Sequence, residues 1–162
     1  MTLAYAIMAF VTLQRLSELA IARRNTARLL AGGAHEVGAR HYPVMVAMHT
    51  AWLAVLWVTV GDRNVSMPLL VLFGLLQLMR IWVLATLGPR WTTRIIVTPD
   101  ATLVAKGPFR FLRHPNYAVV TAEIAVLPLA FGLTGIAALF TVLNAAMLYV
   151  RIGAENRALY AR

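Results

Sequence analysis

The chain contains no cysteine, which excludes a disulfide framework, thiolate metal sites and a cysteine nucleophile. It is also poor in charge: 13% of its 162 residues are charged against 60% hydrophobic, and the mean hydropathy is +0.73. That balance lies well outside the range of soluble domains, so the chain reads as an integral membrane protein. No basic leader precedes the first apolar run, and Arg15 and Glu18 interrupt it; it reads as a retained helix and not a cleaved signal peptide. No repeat or low-complexity tract divides the sequence, which is taken as one domain over residues 1–162. No basic, aromatic-rich soluble module is present to carry nucleic acid, and no metal site is expected.

What the chain does have is long apolar runs, at 2–22, 43–60, 68–87, 116–132 and 134–152. A membrane-spanning helix needs about 20 mostly apolar residues, so the expected fold is all-α with five transmembrane helices. Gly132-Leu133-Thr134-Gly135 joins the last two as a tight helical hairpin, and Pro128 should kink or end the first of them. The arginines fall unevenly. Arg23, Arg24, Arg28 and Arg40 follow the first run; Arg90, Arg94, Lys106, Arg110 and Arg113 follow the third; Arg157 and Arg162 close the chain, whereas the second run is followed only by Asp62 and Arg63. Under the positive-inside rule this places the N-terminus outside and the C-terminus in the cytosol. The net charge of +9 then reflects basic loops facing membrane lipids with anionic headgroups. Outside the spans, Arg94-Ile95-Ile96-Val97 and Thr102-Leu103-Val104 flank a Thr98-Pro99-Asp100 turn, which reads as a short β-hairpin.

Ionisable groups inside hydrocarbon are costly and usually face a pocket or a partner. His49, Arg80, Glu123 and Asn144 fall on the order of 10 Å from the predicted cytosolic ends of their spans, with Arg15 and Glu18 nearer that face. Such a layer implies a polar cavity opening toward the cytosol. The simpler readings are that Arg15 and Arg80 snorkel, that Glu18 pairs with Arg15, and that His49 and Asn144 make interhelical hydrogen bonds. A carboxylate as deep as Glu123 needs a cationic partner, a proton or a role.

The segment Lys106-Gly107-Pro108-Phe109-Arg110-Phe111-Leu112-Arg113-His114-Pro115-Asn116-Tyr117 is a basic, proline-punctuated loop between apolar runs. Proline disfavours helix in the residue before it and suits a first helical turn, so His114-Pro115-Asn116-Tyr117 reads as a helix start able to hold an anion. Arg151 and Glu155 stand four apart where the last span leaves the membrane. They are either a surface ion pair or a ligand-facing pair, and the hairpin brings them to the same side as Tyr117.

Gly107-Pro108-Phe109, Arg113-His114-Pro115-Asn116-Tyr117, the helical hairpin, and Arg151 with Glu155 and Leu159 together resemble the isoprenylcysteine carboxyl methyltransferase family, over residues 75 to 160. Gln14-Arg15-Leu16-Ser17-Glu18, the string from Leu87 to Arg94 and that from Arg151 to Arg157 are most similar to short bacterial members associated with methylating alkylpyrones and alkylresorcinols. The resemblance implies S-adenosylmethionine as cofactor, bound on the cytosolic side by residues within 88–162. It implies that His114 and Tyr117, with Pro115 and Asn116 between them, enclose the cofactor, that Lys106 and Gly107 touch its adenosine part, and that Glu155 meets its methionine part. Many members carry two consecutive acids where this chain has Glu155 followed by Asn156.

The expected activity is therefore O-methylation of a lipophilic small molecule whose tail enters from the bilayer. Arg151 is the first candidate to touch the reacting oxygen, and Glu123 or His49 the candidate base if the acceptor is a phenol. The alternatives are carboxyl methylation of a prenylated cysteine, a non-catalytic or transport protein using the inner polar layer, and a reductase using NADPH, against which the lack of a recognisable nucleotide-phosphate motif counts.

Overall fold

A computed structural model describes residues 2–99 and 102–160, the last two of them as backbone. Asp100, Arg162 and the side chain of Leu159, named above, lie outside the described residues. Five α-helices dominate: α1 (Leu3–Ala31), α2 (Tyr42–Thr59), α3 (Met67–Leu87), α4 (Pro115–Ala130) and α5 (Thr134–Tyr160). Helices α2, α3 and α4 each open with proline in the first turn, where its missing N–H is no loss and its fixed φ is already helical. Four of the five, α1, α2, α3 and α5, are long and apolar enough to cross a membrane. The protein is an all-α, multi-pass membrane protein.

The exception is α4, whose 16 residues span about 24 Å at 1.5 Å per residue. It ends two residues after Pro128, and the Pro128 carbonyl accepts from both Phe131 and Leu133 in the turn to α5. This shorter helix is the innermost of the bundle, packed between α3 and α5 with Val119, Glu123, Ile124, Leu127 and Ala130 buried. The longer helices turn leucine, isoleucine and valine outward, among them Leu72, Leu75, Leu78, Ile81 and Val142. Exposed apolar area on this scale is what a bilayer covers.

Along its axis the bundle has three zones. At the end away from the basic loops, Met8, Val11, Trp52, Leu56, Phe73, Leu127, Phe131 and Phe140 form an apolar core. Midway, Arg15 and Glu18 of α1 meet Gln77 and Arg80 of α3 and Glu123 of α4. At the basic end, the helix termini and connecting segments enclose a pocket.

Two expectations are corrected. The strand Ile95–Val97 (β2) does not fold back on Thr102-Leu103-Val104. It pairs antiparallel with His35–Val37 (β1), register Glu36↔Ile96. Glu36 carries an ion pair to Arg94 (2.7 Å), and the 102 region serves another purpose, its Thr102 carbonyl accepting from Arg90 (2.9 Å). Among the described residues, the intramembrane polar layer also does not reach the pocket at the basic end, none of Arg15, Glu18, His49, Arg80, Glu123 and Asn144 lining it. Its charges neutralise one another: Arg80 binds Glu18 through two nitrogens at 2.5 Å and Glu123 at 2.9 Å, and Arg15 reaches Glu123 at 2.7 Å. A buried charge is tolerated where it is paired and hydrogen-bonded, and direct pairing removes the need for water.

Candidate functional site

The pocket at the basic end is walled by four segments: the termini of α1 and α3 at Leu29 and Leu87, the stretch from Arg90 to Thr98, the stretch Thr102–Val104 with Phe109, and the α4–α5 pair. Its volume is about 240 Å³, a little under the roughly 300–1,000 Å³ of typical ligand pockets. His114, Pro115, Asn116 and Tyr117 line it from the start of α4, and Arg151 and Glu155 from α5.

Two features of the backbone put these residues together. Helix α4 begins at Pro115, which projects the His114 and Tyr117 rings from one turn so that they stack, centroids 5.3 Å apart. The short turn Phe131–Leu133 then returns α5 antiparallel to α4, carrying Arg151 and Glu155 back to the level of Tyr117. The Tyr117 hydroxyl joins them: it donates to the Glu155 carboxylate and accepts from Arg151 Nε at 2.8 Å. Arg151 and Glu155, adjacent on one helical face, thus meet through a phenol on the neighbouring helix.

Arg151 is 5% exposed and held from three sides. Besides Tyr117 it donates to the Thr93 carbonyl (2.6 Å) and to Met45 Sδ of α2 (2.9 Å). A guanidinium has five N–H donors, so these contacts do not exhaust it. His114 donates through Nε2 to Asn156 Oδ1 (3.1 Å), with Nδ1 3.8 Å from Glu155. Asn156, the residue after Glu155, thereby orients the histidine.

Lys106 and Gly107 stand behind the pocket and not on its lining. Gly107 has φ +58°, and a Cβ there would fall 2.5 Å from Thr86 Oγ1; only glycine lets the loop lie this close to α3. His49 and Glu123 are set apart from the pocket as well. His49 Nδ1 donates within its own helix to the Met45 carbonyl (2.8 Å). Glu123 is wholly buried, its oxygens bound by Arg15, Arg80 and Gln77. Asn144 donates to Thr121 (3.0 Å), which donates to the Tyr117 carbonyl, linking the hairpin just below the site.

Three residues that sequence reasoning passed over also shape the site. Asn25, buried on α1, donates to the carbonyls of Gly88 (3.2 Å) and Trp91 (2.9 Å), fixing the turn after α3. Arg94 lies over the Tyr42 ring at 4.3 Å and bonds Glu36; that hydrogen bond raises its pKa further above the usual arginine value, against the effect of burial. Trp91, 3% exposed, packs under the pocket. A polar asparagine at the end of an apolar helix was the one available signal for Asn25; the other two fall in the string from Leu87 to Arg94 that carries part of the family resemblance.

Among the described residues, two buried polar atoms on the pocket's lining residues, Trp91 Nε1 and Asn116 Oδ1, have no hydrogen-bond partner. Buried polar groups are nearly always satisfied, so a polar ligand here would complete them. The donor set suits a zwitterion with a cationic centre: a carboxylate on α5, a helix start with its positive dipole end, and two stacked aromatic rings.

The sequence pattern of the isoprenylcysteine carboxyl methyltransferase family matches residues 69–161, which contain every residue lining the pocket except Leu29. Among curated proteins, the uncharacterized protein YpbQ of Bacillus subtilis (strain 168) is 38% identical over 161 residues, covering 96% of this chain and 95% of that one. An uncharacterized protein of Haemophilus influenzae is 28% identical over 108 residues, 64% of this chain and 63% of its own. No solved structure matches significantly. With more than half its length matched to the family, and the match spanning the helical hairpin and the pocket, the chain belongs to the isoprenylcysteine carboxyl methyltransferase family of membrane methyltransferases.

Proposed function

We propose that the protein transfers a methyl group from S-adenosylmethionine to an anionic oxygen on a lipophilic small molecule, at the pocket between α4 and α5. The observation that carries this reading is the Tyr117 hydroxyl, which ties Arg151 to Glu155 on one wall of a pocket with unsatisfied polar atoms. The residues present fit the cofactor: Glu155 would take its ammonium group, the first turn of α4 its carboxylate, and the His114 and Tyr117 rings its sulfonium.

When bound, S-adenosylmethionine supplies an electrophilic methyl group. The protein's part is alignment and exclusion of water. Arg151, fixed from three sides, orients the acceptor oxygen and offsets its charge without having to reorganise. Glu155, held by Tyr117, keeps its carboxylate turned toward the pocket. On the positive-inside rule this end of the bundle faces the cytosol, and the acceptor's tail lies among the helices, reached from the bilayer.

The acceptor is one that ionises unaided. A phenol, with a pKa near about 10, needs a base, and neither candidate stands at the pocket: Glu123 is held by two arginines, and His49 is not among the lining residues. An acidic pyrone enol fits this site better than an alkylresorcinol. A prenylcysteine carboxylate is the second reading, favoured by the family's defining activity and equally suited to Arg151. Incubating purified protein with methyl-labelled S-adenosylmethionine and an alkylpyrone, an alkylresorcinol or a prenylcysteine decides among them. Base-stable label in the extracted pyrone is expected; base-labile label in prenylcysteine selects the second reading, and no transfer to any acceptor by folded protein refutes both.

A further inference from the structure

The segment that walls the pocket also presents bulky apolar side chains outward. Phe111 is 76% exposed and Leu112 51% exposed, although neither lies in a membrane-crossing helix. Arg110 immediately before them and Lys106 four residues earlier are exposed too. In water such a pair would be a liability. A short apolar tip beside cations is, however, the composition of an interfacial anchor, whose apolar groups enter the boundary of headgroups and acyl chains while the cations meet anionic lipid.

The position in the fold agrees. The 3₁₀ turn Gly107–Arg110 packs against the last turns of α3, with Gly107 seated on Thr86 and beside Trp82. Trp82 is itself 44% exposed, and Ile81 and Leu78 continue the lipid-facing surface of α3 below it. On its other side the segment runs directly into α4 at Pro115. It is therefore bounded by two helix ends at the level where hydrocarbon gives way to headgroups.

We propose that the turn Arg110-Phe111-Leu112 docks into the anionic headgroup layer of the bilayer that holds the protein, and that this docking sets the pocket wall. The coupling follows from the chain: Phe109 on one side of the turn, and Arg113 and His114 on the other, line the pocket. The docking itself is independent of what the pocket binds. Only its effect on affinity rests on the cofactor reading.

The test compares the protein in nanodiscs of phosphatidylcholine with discs in which roughly a third of the lipid is phosphatidylglycerol, the negative charge that attracts surface cations. Hydrogen exchange of residues 106–114 and the affinity for S-adenosylhomocysteine are both read. In anionic discs, exchange of the segment should slow at least about fivefold, the factor one surface cation near an anionic leaflet supplies, and binding should tighten in step. Phe111→Ser with Leu112→Ser should abolish both effects. Arg110→Gln should reduce them, as should salt near 1 M, where the Debye length falls to about 3 Å. All three side chains are exposed, so these variants leave the core untouched. Equal exchange of the wild-type segment in the two discs overturns the docking; lipid-dependent exchange with unchanged affinity overturns the coupling. Lipid-dependent exchange with no nucleoside binding anywhere leaves the docking standing and refutes the cofactor reading instead.

Discussion

Replacing Glu123 with glutamine should destabilise the protein by about 3–5 kcal/mol, the usual consequence of removing one partner from a buried ion pair. Glu123 is 0% exposed and accepts from Arg15 at 2.7 Å, Arg80 at 2.9 Å and Gln77 at 2.8 Å. With Glu18 it makes a cluster of two acids and two arginines on α1, α3 and α4, neutral as a whole. Glutamine keeps the shape and one carbonyl oxygen but leaves one positive charge uncompensated inside the bundle. For a chain of this size, at roughly 2–4 °C per kcal/mol, the melting temperature should fall by roughly 6–20 °C, as read by circular dichroism in detergent. The second arm is Glu123→Gln with Arg15→Gln, which restores neutrality and leaves Arg80 bound to Glu18 through two hydrogen bonds. It should recover more than half of the loss, a coupling that a double-mutant cycle isolates. A melting temperature within about 2 °C of wild type, with no coupling to Arg15, would refute the stabilising role of this ion cluster; the same result with turnover abolished would make Glu123 a base.

Three further outcomes follow from the site. Glu155→Ala should weaken S-adenosylhomocysteine binding about 10- to 150-fold, the range for losing a charged hydrogen bond, with the melting temperature held; unchanged affinity in calorimetry removes Glu155 from the site. Arg151→Ala should slow single-turnover transfer about 100-fold, as for loss of one preorganised donor to a reacting oxygen, with cofactor affinity largely retained; an unaltered rate rules the role out. Gly107→Ala should destabilise the loop, because alanine at φ +58° is strained by about 1–2 kcal/mol before its Cβ meets Thr86 at 2.5 Å. Faster hydrogen exchange from 106 to 114 is the expected sign, and wild-type exchange would contradict it.

The helices were legible because their causes are local. Apolar runs of spanning length mark α1, α2, α3 and α5, prolines mark the first turns of α2, α3 and α4, and Pro128 marks the early end of α4. The convergence of Tyr117, Arg151 and Glu155 was legible through topology, since a tight hairpin must return α5 to the start of α4. What did not show was pairing at a distance. The turn signal after Val97 pointed to a local hairpin, whereas the partner strand His35–Val37 lies before α2, and no periodicity in a three-residue strand names its mate. Likewise Arg80, Glu18 and Glu123 were visible as ionisable groups at similar depth. Whether such groups line a cavity or cancel one another depends on side-chain directions across three helices, which spacing along the chain does not encode. Asn25 illustrates the same limit, its carbonyl partners lying 63 and 66 residues away.

The most direct test of the methyltransferase site is calorimetric titration of detergent-purified protein with S-adenosylhomocysteine, with NADPH as the control, repeated on Glu155→Ala. Saturable binding of the nucleoside by the wild type, weakened in the variant and absent for NADPH, is the expected result. No binding to demonstrably folded protein, or binding of NADPH alone, would contradict it.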